Sequence, residues 1–146
     1  GCQKMYVALF TEHIALKDVA KSIKTKKLIN FFKNFHSCTN AKKIAVLALN
    51  PHAGDGGVLG KEEKKIQKAI NKANNILGED IFSNPLVPDT AFSPNNRKNY
   101  KYFIAMYHDQ GLAPLKALYF DESINVSLNL PIIRTSVDHG TAFDIA

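Results

Sequence analysis

Three histidines stand where α/β proteins do their chemistry. His13, His52 and His108 each fall just past an apolar run that reads as a strand, residues 5–10, 44–49 and 102–107. In open α/β sheets ligands bind in the crevice at the carboxyl ends of the strands. The pattern therefore aims three imidazoles at one region, and three neutral imidazoles make a transition-metal site with coordination positions left for substrate. The plainer reading of each is a polar loop residue, and His36, on the segment between the first two strands, is read that way.

The neighbours of these histidines carry chemistry of their own. Asn50-Pro51-His52-Ala53-Gly54-Asp55-Gly56-Gly57 is a glycine-rich loop whose backbone can come close to a ligand or take positive φ. Its amides would form an anion-binding nest ahead of the next helix; a plain tight turn is the alternative. The order of residues is neither GxxxxGK[ST] nor GxGxxG. In His108-Asp109-Gln110-Gly111, Asp109 either caps the following helix or holds an imidazole in one tautomer. Lys116, Asn125 and Arg134 follow within a short stretch. Arg134 sits in an apolar, strand-like run, where a guanidinium needs an anionic partner: a substrate group, or a carboxylate of the protein itself.

The elements that would position these residues alternate between strand and helix, which argues for an α/β layered fold. Residues 44–49 are apolar on both faces, as suits a parallel strand covered on both sides. Residues 16–35 repeat apolar positions at helical spacing, with Asp18 as the expected cap and Thr25 as the expected break. Residues 61–76 read as a helix burying Ile66, Ala69, Ile70 and Ala73 and ending at Gly78. Residues 81–94 read as irregular, 112–118 as a short helix, and 125–130 and 132–137 as strands. The chain enters its first strand almost at once and stops in residues 141–146, which read as the start of a helix, so both ends read as cuts.

Composition narrows the classes. With 146 residues, 45% hydrophobic and 22% charged, the chain is of globular type and the size of one domain. No apolar run approaches the ~20 residues of a membrane helix, and the start lacks the build of a signal peptide. Two cysteines, Cys2 and Cys38, form no framework, which fits a reduced, cytoplasmic setting. The net charge of +6 comes largely from lysines on the expected helices. It reads as solvated helix faces that also favour an anionic small molecule; no nucleic-acid module is visible.

Three long motifs then carry a resemblance: Leu49-Asn50-Pro51-His52-Ala53-Gly54-Asp55-Gly56-Gly57, Ala105-Met106-Tyr107-His108-Asp109-Gln110-Gly111, and Leu130-Pro131-Ile132-Ile133-Arg134-Thr135-Ser136-Val137-Asp138-His139-Gly140-Thr141-Ala142. The chain resembles the 4-hydroxythreonine-4-phosphate dehydrogenase family of vitamin B6 biosynthesis, from about Val7 to Ala146. The resemblance implies an isocitrate- and isopropylmalate-dehydrogenase-like α/β fold and a homodimer with active sites at the interface. It implies a divalent metal on His13, His52 and His108 with ligands from both subunits, zinc first and magnesium or cobalt as alternatives. Substrate would be bound by Lys116, Asn125 and Arg134; Lys116 and Asp109 stand as catalytic candidates. His139-Gly140-Thr141-Ala142 resembles a nucleotide-binding turn for NAD, with NADP as the alternative, and Pro88-Asp89-Thr90 keeps part of a further family motif. The implied reaction is oxidation and decarboxylation of 4-phosphooxy-L-threonine to 3-amino-2-oxopropyl phosphate. The family's chain is about twice as long, so residues 1–146 would be a single α/β fragment of a two-domain enzyme, roughly its C-terminal half, lacking the N-terminal half and the C-terminal tail. Two alternatives stand beside this: a paralogous dehydrogenase of another phosphorylated hydroxy-acid, and, for the fragment alone, an inactive metal-binding or dimerisation module.

Overall fold

The structure, a computed structural model, describes residues 5–120 and the backbone of residues 124–129 and 132–137. Three short strands, β1 (Tyr6–Leu9), β2 (Ile44–Val46) and β3 (Tyr102–Ala105), form a parallel sheet in the order β1-β3-β2. Register runs Tyr6↔Tyr102 through Leu9↔Ala105 on one side of β3 and Ile44↔Tyr102 through Val46↔Ile104 on the other. All three carboxyl ends therefore point the same way, and β3 is central. This is the α/β architecture with a parallel sheet that the alternation of elements predicts.

The period-two alternation of a strand divides its residues between two layers. Ala8, Ile44, Val46, Ile104 and Met106 face one apolar layer with helices α2 (Thr25–Thr39) and α3 (Glu62–Leu77). Val7, Ala45, Leu47, Phe103 and Ala105 face the other, with Leu112 and Leu115 of α5 (His108–Tyr119). α2 buries Leu28, Phe31, Phe32 and Phe35, and α3 buries Ile66, Ala69, Ile70 and Ala73, each at i, i+3, i+4, i+7. The α3 stripe is the one expected, and Gly78, at φ 75°, ends the helix.

Several local expectations are revised. Before α2 the chain makes a tight turn and one short helix, α1 (Val19–Ser22), so the break falls at residues 23–24. Asp18 precedes α1 without capping it and instead pairs with Lys21 at 2.9 Å. Residues 81–94 are irregular but not idle, because Phe82 and Leu86 make isolated parallel bridges to Ile44 and Leu47 and so line the outer edge of β2. A further helix, α4 (Pro94–Asn99), begins where Ser93 Oγ accepts from Asn96 N at 3.3 Å. The antiparallel pair β4 (Ile124–Asn129) and β5 (Ile132–Val137) agrees with the two strands expected there.

α5 starts four residues earlier than its apolar pattern suggests, and Gly111 shows why. A Cβ at Gly111 would stand 2.6 Å from Val7 Cγ1, 2.9 Å from Leu9 Cδ2 and 3.0 Å from Ala105 Cβ. Only glycine lets the first turn of α5 lie that close to β1 and β3. Ala in place of Gly in a helix is worth up to ~1 kcal/mol of propensity, whereas forcing a methyl into a packed site costs about 1–3 kcal/mol. The overlap wins, because Val7 is stiff at χ1. Gly111→Ala is therefore expected to lower unfolding stability by roughly 1–2 kcal/mol in a urea titration. Unchanged or raised stability would show that α5 can ride outward freely.

Candidate metal and substrate cleft

The parallel strands deliver the three histidines in the order of the sheet. His13 follows β1, His108 opens α5 directly after β3, and His52 follows β2 on the far side of the central strand. Their supports run through the strand ends. Phe10 N donates to Ala105 O at 2.9 Å, and Thr11 Oγ1 donates to Met106 O at 2.7 Å. Gln110 spans the other side: its Oε1 accepts from Met106 N at 2.7 Å and its Nε2 donates to Ala48 O at 2.9 Å. The backbone around His13 and the start of α5 is thus tied to β3, and β3 to the end of β2.

His13 and His108 meet. Their ring centroids are 5.5 Å apart at 44°, and both line an open cleft of about 540 Å³ with Glu12, Leu16, Tyr107 and Asp109. Asp109 Oδ1 lies 2.8 Å from His108 Nδ1. The cap of α5 is Tyr107 and makes no side-chain cap bond, so the capping role expected of Asp109 is not found. A proton on His108 Nδ1 would be donated to Asp109 and would leave the Nε2 lone pair for another partner. The side chain of Asp109 is 83% exposed, against 37% for His108. At such exposure an ion pair adds little stability, so the contact serves orientation.

His52 does not join them. Among the described residues, no three His, Cys, Asp or Glu side chains stand close enough to hold one metal ion. His52 is exposed and sits at the start of a left-handed turn, His52, Ala53, Gly54, Asp55 and Gly56 all having positive φ. For the L-residues His52, Ala53 and Asp55 such a conformation costs about 1–2 kcal/mol each. Gly54 permits the centre of the turn, since a Cβ there would meet Glu63 Oε1 at 2.6 Å and Gly60 O at 2.9 Å. The loop is not a free anion nest: the first turn of α3 already carries Glu62 and Glu63 at the positive end of the helix. Asn50 Nδ2 donates to Glu62 Oε1 at 2.8 Å, and this bond holds the Glu62 carboxyl below its ordinary pKa, with burial opposing.

The remaining expected site residues are more scattered. Lys116 lies half-buried on α5, eight residues beyond His108, or about 12 Å along a helix axis, and does not line the cleft. Asn125 pairs in register with Ser136, and Arg134 with Ser127, across the β4–β5 hairpin; only their backbones are described. His139, Gly140, Thr141 and Ala142 lie outside the described residues. Sequence reasoning missed Gln110 and Glu63 as supports, because bonds to residues 62 and 14 positions away leave no local signature. Two imidazoles on one cleft, one of them oriented by a carboxylate, fit a divalent metal ion in donor type. Among the described residues no third His, Cys, Asp or Glu stands with them to complete such a site.

Comparison with known proteins adds a separate line. A family model described as "Pyridoxal phosphate biosynthetic protein PdxA" matches residues 1–146. A 4-hydroxythreonine-4-phosphate dehydrogenase of Sulfurimonas denitrificans is 71% identical over 146 residues, covering 100% of this chain and 48% of its own length. One from Campylobacter fetus is 58% identical over 147 residues, again 48% of its own length. Among solved structures, the 4-hydroxythreonine-4-phosphate dehydrogenase of Klebsiella pneumoniae superimposes with a TM-score of 0.80 at 34% identity, covering 97% of this chain and 45% of that one. The chain spans about half the length of the curated relatives it matches.

Proposed function

This chain belongs to the PdxA family of pyridoxal phosphate biosynthetic proteins, and from that premise we propose that the protein it represents is an NAD-linked, divalent-metal-dependent 4-hydroxythreonine-4-phosphate dehydrogenase. The reaction class is oxidation of the secondary alcohol of 4-phosphooxy-L-threonine followed by loss of carbon dioxide from the β-keto acid. The observation that carries this reading is the match of the whole chain to relatives of that name, at up to 71% identity. The isocitrate- and isopropylmalate-dehydrogenase-like layering belongs to the same reading, as does a cytoplasmic location; among the described residues no helix is long and apolar enough to cross a membrane.

In this reading His13 and His108 of one subunit hold the metal, and His52 reaches it from a second copy of the chain. Support comes from the pairing of His13 with His108 and from the separate, exposed His52. Leu16, beside His13, is 70% exposed, and Val58, on the His52 loop, is 79% exposed. Exposed large apolar side chains on both sides of the site are what a homodimer interface would cover. A divalent ion held there, zinc first, would supply Lewis-acid chemistry for the alcohol oxidation and for the negative charge left behind when carbon dioxide departs. Asp109 fixes the His108 tautomer. Lys116 and Arg134 hold the anionic ends of the substrate and Asn125 donates a neutral hydrogen bond; His139 to Ala142 receive NAD.

The test is an assay of the full-length protein with 4-phosphooxy-L-threonine, NAD and zinc, following NADH and carbon dioxide together. Failure on this substrate with turnover of another phosphorylated hydroxy-acid would move the reading to a paralogue. Arg134→Lys is expected to lose at least ~10-fold in kcat/KM, since an ammonium cannot reproduce a bidentate guanidinium. Wild-type kinetics with a lowered Tm would instead assign Arg134 to an internal salt bridge.

A further inference from the structure

We infer that Glu63 is a positioning residue for His52, acting through the backbone of the left-handed loop. The inference rests on the reading of His52 as a metal ligand and deepens it. His52 is exposed, at the start of a run of consecutive residues with positive φ. The place at which its imidazole is presented depends on the backbone that carries it, and that backbone is in a conformation L-residues avoid. A strained segment persists only where its surroundings over-determine it.

The surroundings converge on one carboxylate. Glu63 Oε2 accepts from Leu49 N at 2.8 Å and from Asn50 N at 2.7 Å, and Glu63 Oε1 accepts from the Asn50 side chain at 2.9 Å. Asn50 O in turn accepts from Ala53 N at 3.1 Å, closing the turn over His52, and Gly54 O accepts from Leu59 N at 2.9 Å. Gly54 packs so close that a methyl there would collide with the same Glu63 carboxylate. Glu63 thus grips the strand end before His52 and backs the glycine two residues after it. Its hydrogen bonds go to Leu49 and Asn50, on the His52 side of the sheet, and none goes to His13 or His108.

The experiment measures Co²⁺ affinity of the folded, full-length protein well below its melting temperature, by titration of the Co²⁺ visible absorption, with Tm recorded alongside. Glu63→Gln keeps shape but replaces one acceptor oxygen with a donor. It is expected to weaken Co²⁺ binding at least ~10-fold, the scale on which supporting partners of metal ligands act. His52→Ala is the reference and is expected to weaken binding further. Unchanged affinity in Glu63→Gln, with lowered Tm and with His52→Ala impaired, would overturn the inference and leave Glu63 a fold-stabilising residue only. Unchanged affinity in His52→Ala would sink the metal role of His52 itself, a distinguishable failure. Should Glu63→Gln not fold, Asn50→Ala removes the side-chain half of the grip and is read the same way; failure of both to fold would assign the grip to the fold and overturn the inference.

Discussion

His108→Ala in the full-length protein is expected to abolish tight metal binding and to lower turnover by on the order of 10³-fold, with a nearly unchanged Tm. The size follows from the proposed chemistry: a Lewis-acid ion contributes several kcal/mol to transition-state stabilisation, and each 1.36 kcal/mol is about tenfold in rate. The small effect on stability follows from position. His108 is 37% exposed, and its resolved partner is the largely solvated Asp109. Asp109→Asn gives the graded comparison. It leaves the imidazole in place and disturbs only its tautomer, for which a 10–100-fold effect is expected. Equal losses in the two variants would show that Asp109 does more than orient a ring, and metal content measured on each would say whether it binds the ion itself. Wild-type turnover by His108→Ala would remove the metal reading of the cleft.

A protein consisting of these 146 residues alone is expected to show no measurable NADH formation under conditions in which the full-length protein turns over. The chain spans about half the length of its curated relatives, and the cleft that holds His13 and His108 is open. Positioning of two reactants supplies roughly 7–11 kcal/mol of a typical barrier reduction. An open cleft keeps the imidazoles and loses much of that positioning. Both proteins would be assayed at equal metal occupancy, so a difference reports on positioning and not on metal loading. Comparable turnover by the shorter protein would show that residues 1–146 carry a complete active site.

Much of this architecture was legible in the residues, and the boundary has a physical cause. Burial of Ile66, Ala69, Ile70 and Ala73 on α3 follows from a 3.6-residue period that is local and complete within one element. The strand ends were equally plain, since apolar runs stop where polar loops begin, and that alone places three histidines on one edge of a sheet. Which strand lies in the middle was not legible. Pairing of Tyr102 with both Tyr6 and Ile44 is a relation among distant segments. The onset of α5 was misjudged because His108 to Gly111 looks like a loop by propensity, while the close seat of Gly111 on Val7 and Ala105 holds it helical. α4 was missed although Ser93-Pro94 carries a start signal, because the preceding prolines made the whole stretch look irregular. Of the three histidines, His13 and His108 meet across neighbouring strands, and no third metal donor stands with them among the described residues.

The central place of β3 also governs how the chain can be made. β1 and β2 pair with β3 and not with each other, and β3 is the last of the three to be synthesised. Until residues 102–105 leave the ribosome, Tyr6–Leu9 and Ile44–Val46 have no partner in this sheet. The first strand therefore waits some ninety residues and the second about fifty-five, spans that loop closure makes slow and that expose unpaired edges. α2 and α3 have a shorter wait for each other, because both lie within residues 25–77 and pack together, although their apolar stripes also face the sheet. Nascent chains should then dock that helical pair first and gain the sheet in a single late event, and the paired imidazoles of His13 and His108 come into being only at that event.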